Sequence, residues 1–511
     1  MNWPLAEIKF GTDGWRAIIA QDFTFANLER VTQAYADYLT AFASEPLQKQ
    51  LVDVGQISSE EARDPLFTNV IDKAAPGSLL VVIGFDRRFL SEQFAARAAE
   101  IMAGNHFRIA LFPDAQPTPL ISWTVKELGA AGGIMITASH NPSEFNGFKI
   151  KAPWGGSATP VTTAVVERLV DTKEPKRARI VDDGRQLIGP CINHYREQIS
   201  SYINLEKIRK AAGTVIVDSM HGSGGNWVEG FLKGGSLAVE TIRSHRDPLF
   251  GGVNPEPIDR NLGPLKKRVL EKGALVGLAT DGDADRVGAV NERGDTMTMH
   301  DVVPLLLLHL SRQRKMTGAV VVTVSQSVLT KRIANSFGLE ILETPIGFKY
   351  IADLMLREDI LLGAEESGGI GVKGHIPERD GILNSLLFLE AIIDAGKPPS
   401  EMLRELHREF GAFYFGRRDL HMPVAAGQQL LARLAENPPG ELAGFEVNGV
   451  QTLDGTKLIF ADDSWLLFRQ SGTEPVLRVY SEATSTEKMN ALLDAGQAMT
   501  SSDQYKAERN H

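Results

Sequence analysis

Thirteen residues, Thr137 to Lys149, read TASHNPSEFNGFK. Ser139 follows the apolar run Ala131–Ile136 and opens a turn dense in Asn, Pro and Gly. Asn141, Pro142, Asn146 and Gly147 favour tight turns that can expose a hydroxyl. His140 follows directly, and Lys149 lies ten residues beyond Ser139. A hydroxyl to carry a group, with a base or cation beside it to move protons, suits the handling of a phosphoryl group. The plainer readings are a turn serine, a structural histidine and a solvated lysine.

Asp281-Gly-Asp283-Ala-Asp285-Arg286 puts three carboxylates on alternate residues, which an extended loop points to one side. They repel one another unless a divalent cation sits among them, and hard oxygen ligands suit Mg²⁺. A calcium loop starting at Asp281 would place Glu292 twelfth but needs Gly at its sixth position, where Arg286 stands. The flanks Leu275–Ala279 and Val287–Val290 read as strands, not as the helices of an EF-hand. An aspartyl-phosphate phosphatase finds no other support in the chain; a solvated acidic loop is the bland alternative.

Two further loops are chemically equipped. Gly363-Ala-Glu365-Glu366-Ser367-Gly368-Gly369 offers a carboxylate and a hydroxyl on a Gly-rich turn, as recognition of sugar hydroxyls requires. It could equally start and cap a helix. Arg469-Gln-Ser471-Gly472-Thr473-Glu-Pro475, with Arg478 beyond, combines backbone N–H groups open to an anion with hydroxyls and two guanidiniums. Each charge-assisted bond there is worth about 1.5–3 kcal/mol.

Elements must hold these loops. Apolar runs at Leu79–Ile83, Ala131–Ile136, Thr214–Val217, Leu275–Ala279 and Val320–Val324 each end in a polar or Gly-rich loop and then a helical pattern. Strands alternating with helices predict βαβ units in largely parallel sheets, with ligands beyond the strands' carboxyl ends. The theme recurs about every hundred residues, which suggests related domains rather than a solenoid. Seams are expected near Tyr202–Lys210, Ser311–Thr317 and Gly411–Asp419. The polar segment 41–76 reads as a helical extension or insertion.

At 511 residues, three or four domains of about 100–200 residues are expected. Apolar content of 43% supports several cores, and a net charge of −10 argues against a nucleic-acid binder. The single cysteine, Cys191, excludes an intrachain disulfide and a thiolate zinc site, and reads as a small buried apolar residue. MNWPLAEIKFG lacks a basic region followed by an apolar core, so no signal peptide is expected, and no apolar run reaches membrane-spanning length. A soluble, cytoplasmic protein is predicted.

With Phe10-Gly-Thr-Asp-Gly14-Trp-Arg16 and Gly84-Phe-Asp86-Arg-Arg88-Phe-Leu-Ser91, these motifs run in order from Phe10 to Glu482. Together they resemble the signature loops of the α-D-phosphohexomutases, the family of phosphoglucomutase and phosphomannomutase. The resemblance implies three related α/β domains and a smaller α+β C-terminal domain around a central cleft. Their expected bounds are 1–203 (phosphoserine), 204–313 (metal), 314–415 (sugar) and 416–511 (phosphate). It implies that Ser139 carries the transferable phosphate, with Lys149 and His140 as candidates for proton transfer and Arg16 near the phosphoserine. Asp281, Asp283 and Asp285 would hold Mg²⁺ with a phosphoserine oxygen, and Arg286 would balance charge near the phosphate. Glu365 and Ser367 would grip sugar hydroxyls, helped by the companion loop of Thr344 and Gly347. Arg469, Ser471, Gly472, Thr473 and Arg478 would clamp the substrate's own phosphate. Asp86 and Arg88 would hold the serine loop.

The implied reaction passes through a hexose 1,6-bisphosphate, with glucose 1,6-bisphosphate as activator and hexose phosphates as substrates; nucleic acid and membrane are not expected partners, and a monomer or homodimer is. Where dual-specificity members often carry histidine, this chain has Gly369 and Phe348. Those departures, with His375 and Pro377-Glu-Arg379-Asp-Gly381, resemble the glucose-phosphate branch. Mannose- or glucosamine-phosphate mutase, glucose 1,6-bisphosphate synthase and a non-catalytic sugar-phosphate sensor are the alternatives.

Overall fold

A computed structural model describes residues 6–11, 13–42, 79–471 and 475–509. The expected insertion at 41–76 therefore lies outside the described residues from 43 onward. Two compact units emerge. One comprises Met1–Thr296, Ala352–Arg357 and Gly368–Asp394; the other comprises Met297–Ile351, Glu358–Ser367 and Ala395–His511.

In the first unit, strands β1 (Trp15–Ile18), β2 (Leu80–Phe85), β3 (Arg108–Leu111), β4 (Gly132–Ile136), β5 (Phe145–Ala152) and β6 (Gly156–Ser157) form one sheet. Its order is β1-β5-β4-β2-β3, with β6 on β5. β2 runs parallel to β3 and β4, while β5 is antiparallel to β4 and β1. β2 (LVVIGF) and β4 (GGIMI) are buried along their whole length, as continuous apolar runs are when helices cover both faces. Phe94, Ala98 and Met102 of the helix Ser91–Gly104 share a core with Val81 and Ile83.

A second sheet in the same unit repeats the plan. β7 (Thr214–Asp218), β8 (Ala238–Ile242), β9 (Val276–Thr280) and β10 (Val287–Asn291) lie in the order β10-β9-β7-β8. Here too the strand β7 runs parallel to both its neighbours, β8 and β9, and β10 is antiparallel to β9. This is the order β5-β4-β2-β3 again, the physical counterpart of the recurring sequence theme. Residues 281–286 form the short link that joins β9 to β10.

In the second unit, Ala319–Thr323 is flanked in parallel by Ile341–Thr344 and Ile360–Ala364. Six antiparallel strands follow, ordered Tyr414–His421, Val476–Ala483, Trp465–Gln470, Thr456–Phe460, Phe445–Gln451 and Glu441–Leu442. Leu430 and Leu434 of the helix Val424–Glu436, with Leu492 of the helix Thr486–Arg509, pack on Leu466, Phe468 and Val479 of that sheet. The α/β and α+β architecture is thus the expected one.

Within the expected seam Gly411–Asp419 begins the strand Tyr414–His421, which pairs through all eight residues with Val476–Ala483. YFGRRDLH has no apolar alternation because it is an edge strand with no fully buried side chain. Ser311–Thr317 begins inside a π-helical turn, His309–Gln313, continuing the helix Met299–Leu308, and Tyr202–Lys210 contains the helix Leu205–Lys210. By contact, Gly368–Asp394, expected within 314–415, clusters with the first unit. The Val287 N–H donates to the Gly368 carbonyl at 3.0 Å and the Gly381 N–H to the Ala284 carbonyl at 3.1 Å. Lys151 Nζ meets Glu378 Oε2 at 2.5 Å with both side chains fully buried. Cys191 is buried, as its type suggests.

One buried charge in the second unit gives a pH signature. Lys457 Nζ donates to the Val324 carbonyl at 2.6 Å and lies 4.3 Å from the Trp465 ring centre. Burial, reinforced by Lys331, pushes the Lys457 pKa down from 10.5 to about 8, against the pull of Glu343 and Glu482. Below pH 8 the group is charged whether folded or unfolded, and its burial cost is fully present. Between about pH 8 and 10.5 the folded state releases its proton first, so stability rises with pH by about 2–3 kcal/mol from this group. In denaturant unfolding at pH 7.5 and 9.5, Lys457→Met is expected to flatten that rise.

Candidate active site

Ser139 sits just past β4 with φ +52° and is buried. A left-handed conformation costs a non-glycine residue about 1–2 kcal/mol, so the surroundings must impose it. They do so through backbone. The Ser139 N–H donates to Thr137 Oγ1 at 2.8 Å, and Thr137 Oγ1 donates to Asp86 Oδ2 at 2.6 Å. The fully buried Arg88 guanidinium donates to the carbonyls of Ser139, Asn141 and Pro142 at 2.7 Å each. Asp86 pairs with Arg88 at 3.2 Å. Asp86 and Arg88 therefore hold the serine loop from beneath. Arg16 reaches the same loop by donating to Asn141 Oδ1 at 2.8 Å. Gly147 lets β5 come this close: a Cβ there would lie 2.4 Å from the Thr137 carbonyl.

The loop after β9 closes over Ser139. A Cβ on Gly282 would fall 2.3 Å from the Ser139 carbonyl, so only glycine fits. Ser139 Oγ donates to Asp281 Oδ2 at 2.9 Å and lies 3.3 Å from His140 Nδ1. Asp281 Oδ1 accepts the N–H groups of Asp285 and Arg286 at 3.0 and 3.2 Å. Asp283 Oδ2 accepts from Lys149 Nζ at 2.9 Å and Thr118 Oγ1 at 2.6 Å. Asp285 Oδ2 lies 3.3 Å from Lys149 Nζ and 2.8 Å from the Arg379 guanidinium. Asp283 and Asp285 thus each spend one oxygen on hydrogen bonds or ion pairs with the surrounding protein, while Asp281 engages both of its oxygens. Asp283 Oδ1 and Asp285 Oδ1 are buried without a hydrogen-bond partner. Oxygens of the three aspartates come within 4.8 Å of one another, a group able to hold a metal ion. Two buried carboxylate oxygens without a hydrogen bond, that of Asp285 3.9 Å from Arg286 Nε, beside an oxygen that meets Ser139, fit a hard divalent cation.

The charges follow from this packing. Burial, then the fields of Asp283 and Asp285, push the Asp281 carboxyl well above the usual range. Asp283 is held below that range by Lys149, Thr118 and Arg379 in spite of its burial. Burial alone would lower Lys149, but Asp13, Asp283 and Asp285 hold it above the ordinary lysine value, so it is an ammonium. Burial and the nearby Arg286, Arg16 and Lys149 push His140 well below its usual value, so its ring is neutral.

The second unit gathers the remaining candidates. Thr344 ends its strand opposite Thr323 and is buried, and Gly347 follows with φ +138°. Glu365, also buried, follows the strand Ile360–Ala364, with Ser367 partly exposed two residues on. Glu366 Oε2 accepts from Ser325 Oγ at 2.7 Å. Arg469 and Arg478 are direct cross-strand partners, a like-charge pairing that costs stability unless an anion or acid relieves it. Asp454 relieves part of it, 2.8 Å from Arg469 Nε, and the Ser471 N–H donates to the Val476 carbonyl at 2.9 Å. Gly472 and Thr473 lie outside the described residues.

Sequence reasoning missed several contributors. Asp13 Oδ2 takes Lys149 Nζ at 2.8 Å and also pairs with Arg379. Asp13 and Arg379 lie within motifs that the sequence singles out, yet 366 positions separate them, and nothing local announces their meeting. Thr118 opens the helix Thr118–Glu127 and looks like an ordinary helix-start residue. Arg417, paired with Asp419 at 2.6 Å, lies on the strand Tyr414–His421.

This fold and loop set define a phosphotransferase of the sugar-phosphate mutase kind. All four domains of the phosphoglucomutase/phosphomannomutase family match: alpha/beta/alpha domain I over 66–177, II over 193–294, III over 300–410 and the C-terminal domain over 430–496. The chain is 30% identical over 490 residues to the phosphoglucomutase/phosphomannomutase of Thermococcus kodakarensis, covering 95% of this chain and 97% of that one. It is 29% identical over 428 residues to the phosphoglucosamine mutase of Halorhodospira halophila, covering 82% and 88%. A crystal structure from Thermus thermophilus, provisionally described as a phosphomannomutase, superposes with a TM-score of 0.79 at 34% identity, covering 97% and 99%. The chain belongs to the phosphoglucomutase/phosphomannomutase family of α-D-phosphohexomutases and is an isomerase of the intramolecular phosphotransferase type. Among the described residues, no helix is long and apolar enough to cross a membrane.

Proposed function

We propose that the protein interconverts glucose 1-phosphate and glucose 6-phosphate by way of a phosphorylated Ser139. The observation that carries the reading is the pairing of Ser139 Oγ with Asp281 Oδ2 beside two buried carboxylate oxygens that have no hydrogen bond. A hydroxyl so placed can accept and return a phosphoryl group, and transfer is then a matter of positioning and charge. Mg²⁺ held by Asp281, Asp283 and Asp285 would supply Lewis-acid stabilisation of the phosphoryl oxygens. Lys149, fixed as an ammonium, offers charge to the transferring group. Neutral His140, 3.3 Å from Ser139 Oγ, is a candidate for taking a proton. Glu365, Ser367 and Thr344 are assigned to sugar hydroxyls. Arg469, Ser471 and Arg478, with Gly472 and Thr473, are assigned to the phosphate that does not react. Such a clamp recognises phosphate and not the sugar face, so it can accept either end of a hexose 1,6-bisphosphate.

Gly369 and Phe348 favour glucose over mannose. A second reading, phosphoglucosamine mutase, is favoured by the Halorhodospira halophila relative. Comparison of kcat/KM on glucose, mannose and glucosamine 1-phosphates, with Mg²⁺ and catalytic glucose 1,6-bisphosphate, separates them. The glucose compound is expected to be used best. Equal or better use of the glucosamine or mannose compound overturns the glucose preference and leaves the mutase chemistry standing.

A further inference from the structure

Arg379 lies in the segment Pro377–Gly381, which sequence reading ties only to sugar choice. Its placement indicates something else. The side chain is 3% exposed, and its guanidinium bridges Asp285 Oδ2, at 2.8 Å, and Asp13 Oδ2. Asp13 Oδ2 in turn holds Lys149 Nζ, which touches Asp283 and Asp285. Two cations and two carboxylates, Arg379, Asp285, Lys149 and Asp13, thus form a closed buried ring beside the aspartate loop, with Asp283 joined to it through Lys149.

Its neighbours pin Arg379 from both sides. The Arg379 N–H donates to Glu378 Oε1 at 3.0 Å, and Glu378 Oε2 is bound by Lys151. On the other side, Asp380 Oδ1 accepts the N–H groups of Ile382 and Leu383 at 3.0 and 2.9 Å, capping the helix Gly381–Ala395, while Asp380 Oδ2 accepts from Tyr195 at 2.8 Å. A long side chain has little freedom between two such anchors, so its guanidinium is preorganised. Both carboxylates are met by the same nitrogen, Nη2, so the position of that one atom decides whether both contacts are kept.

We propose that Arg379 is a positioning residue for the metal-holding loop: it occupies Asp285 Oδ2 and so leaves Oδ1 as the oxygen available to a divalent cation. The inference rests on the assignment of Asp281, Asp283 and Asp285 as the metal group. Residues that orient a metal ligand typically change affinity by about 10–100-fold when removed.

The test is direct Mn²⁺ binding to the full chain, read from the free-ion electron paramagnetic resonance signal without turnover. Arg379→Met is expected to weaken binding about 10–100-fold. Arg379→Lys is expected to fall between it and the unsubstituted protein, and added guanidinium to restore binding to Arg379→Ala. A merely structural arginine would show no guanidinium rescue of metal affinity. Should Arg379→Met fail to fold, Arg379→Lys and the rescue of Arg379→Ala carry the test. Binding by Arg379→Met or Arg379→Lys as tight as by the unsubstituted protein overturns the proposal alone. Undiminished binding by Asp283→Asn overturns the metal assignment itself, so the two failures are told apart.

Discussion

Ser139→Ala is expected to lower mutase turnover by on the order of 10⁴-fold or more, the scale seen when a covalent nucleophile is deleted. The substitution removes the only atom of that side chain able to carry a phosphoryl group. Folding should survive, because the strained backbone is held by contacts that do not involve Oγ: the N–H bond to Thr137 and the Arg88 bonds to the carbonyls. The lost bond to Asp281 is worth about 1 kcal/mol. A coupled assay of glucose 1-phosphate conversion, with the thermal unfolding midpoint as a folding control, measures both. Turnover within tenfold of the unsubstituted protein would show that the phosphoryl group travels by another route.

Asp283→Asn carries the second large effect. Asp283 Oδ2 is engaged by Lys149 and Thr118, while Oδ1 has no partner. An amide keeps the shape but loses the charge, and it must point an NH₂ either at Lys149 or into the place where a cation would bind. Mg²⁺ affinity is expected to fall about 10²–10³-fold, equivalent to about 3–4 kcal/mol. Lys149 would keep Asp13 and Asp285, so the fold should tolerate the change. Calorimetric titration with Mg²⁺ and the Mg²⁺ dependence of turnover both report the effect. Undiminished dependence would remove Asp283 from the metal group.

The loops that carry chemistry were legible because their spacing is local. The apolar runs before TASHNP and TDGDADR are strands β4 and β9, displaced by one residue at most. Glycines in those loops have steric reasons, as at Gly282, that a reader of sequence can suspect. What stayed hidden is long-range. The Asp13–Arg379 pair joins the N-terminal motif to a segment expected in another domain, and its partners Lys149 and Asp285 come from two different sheets. Composition and periodicity carry no record of such closure. Gly368–Asp394 joined the first unit for the same reason: backbone bonds to Val287 and Ala284 and the ion pairs of Glu378 and Arg379 hold it there. The edge strand Tyr414–His421 was hidden by a different cause, since backbone pairing alone sustains it and its side chains have no pattern to read.

The most direct test of the central claim is the chemical state of one tryptic peptide, residues 127–149, after incubation with glucose 1,6-bisphosphate and Mg²⁺. Mass spectrometry is expected to find one added phosphoryl group on this peptide, fragmentation to place it on Ser139, and glucose 1-phosphate to discharge it. A protein that turns over hexose phosphate while this peptide stays unmodified, or that carries its phosphoryl group on another residue, would contradict the account.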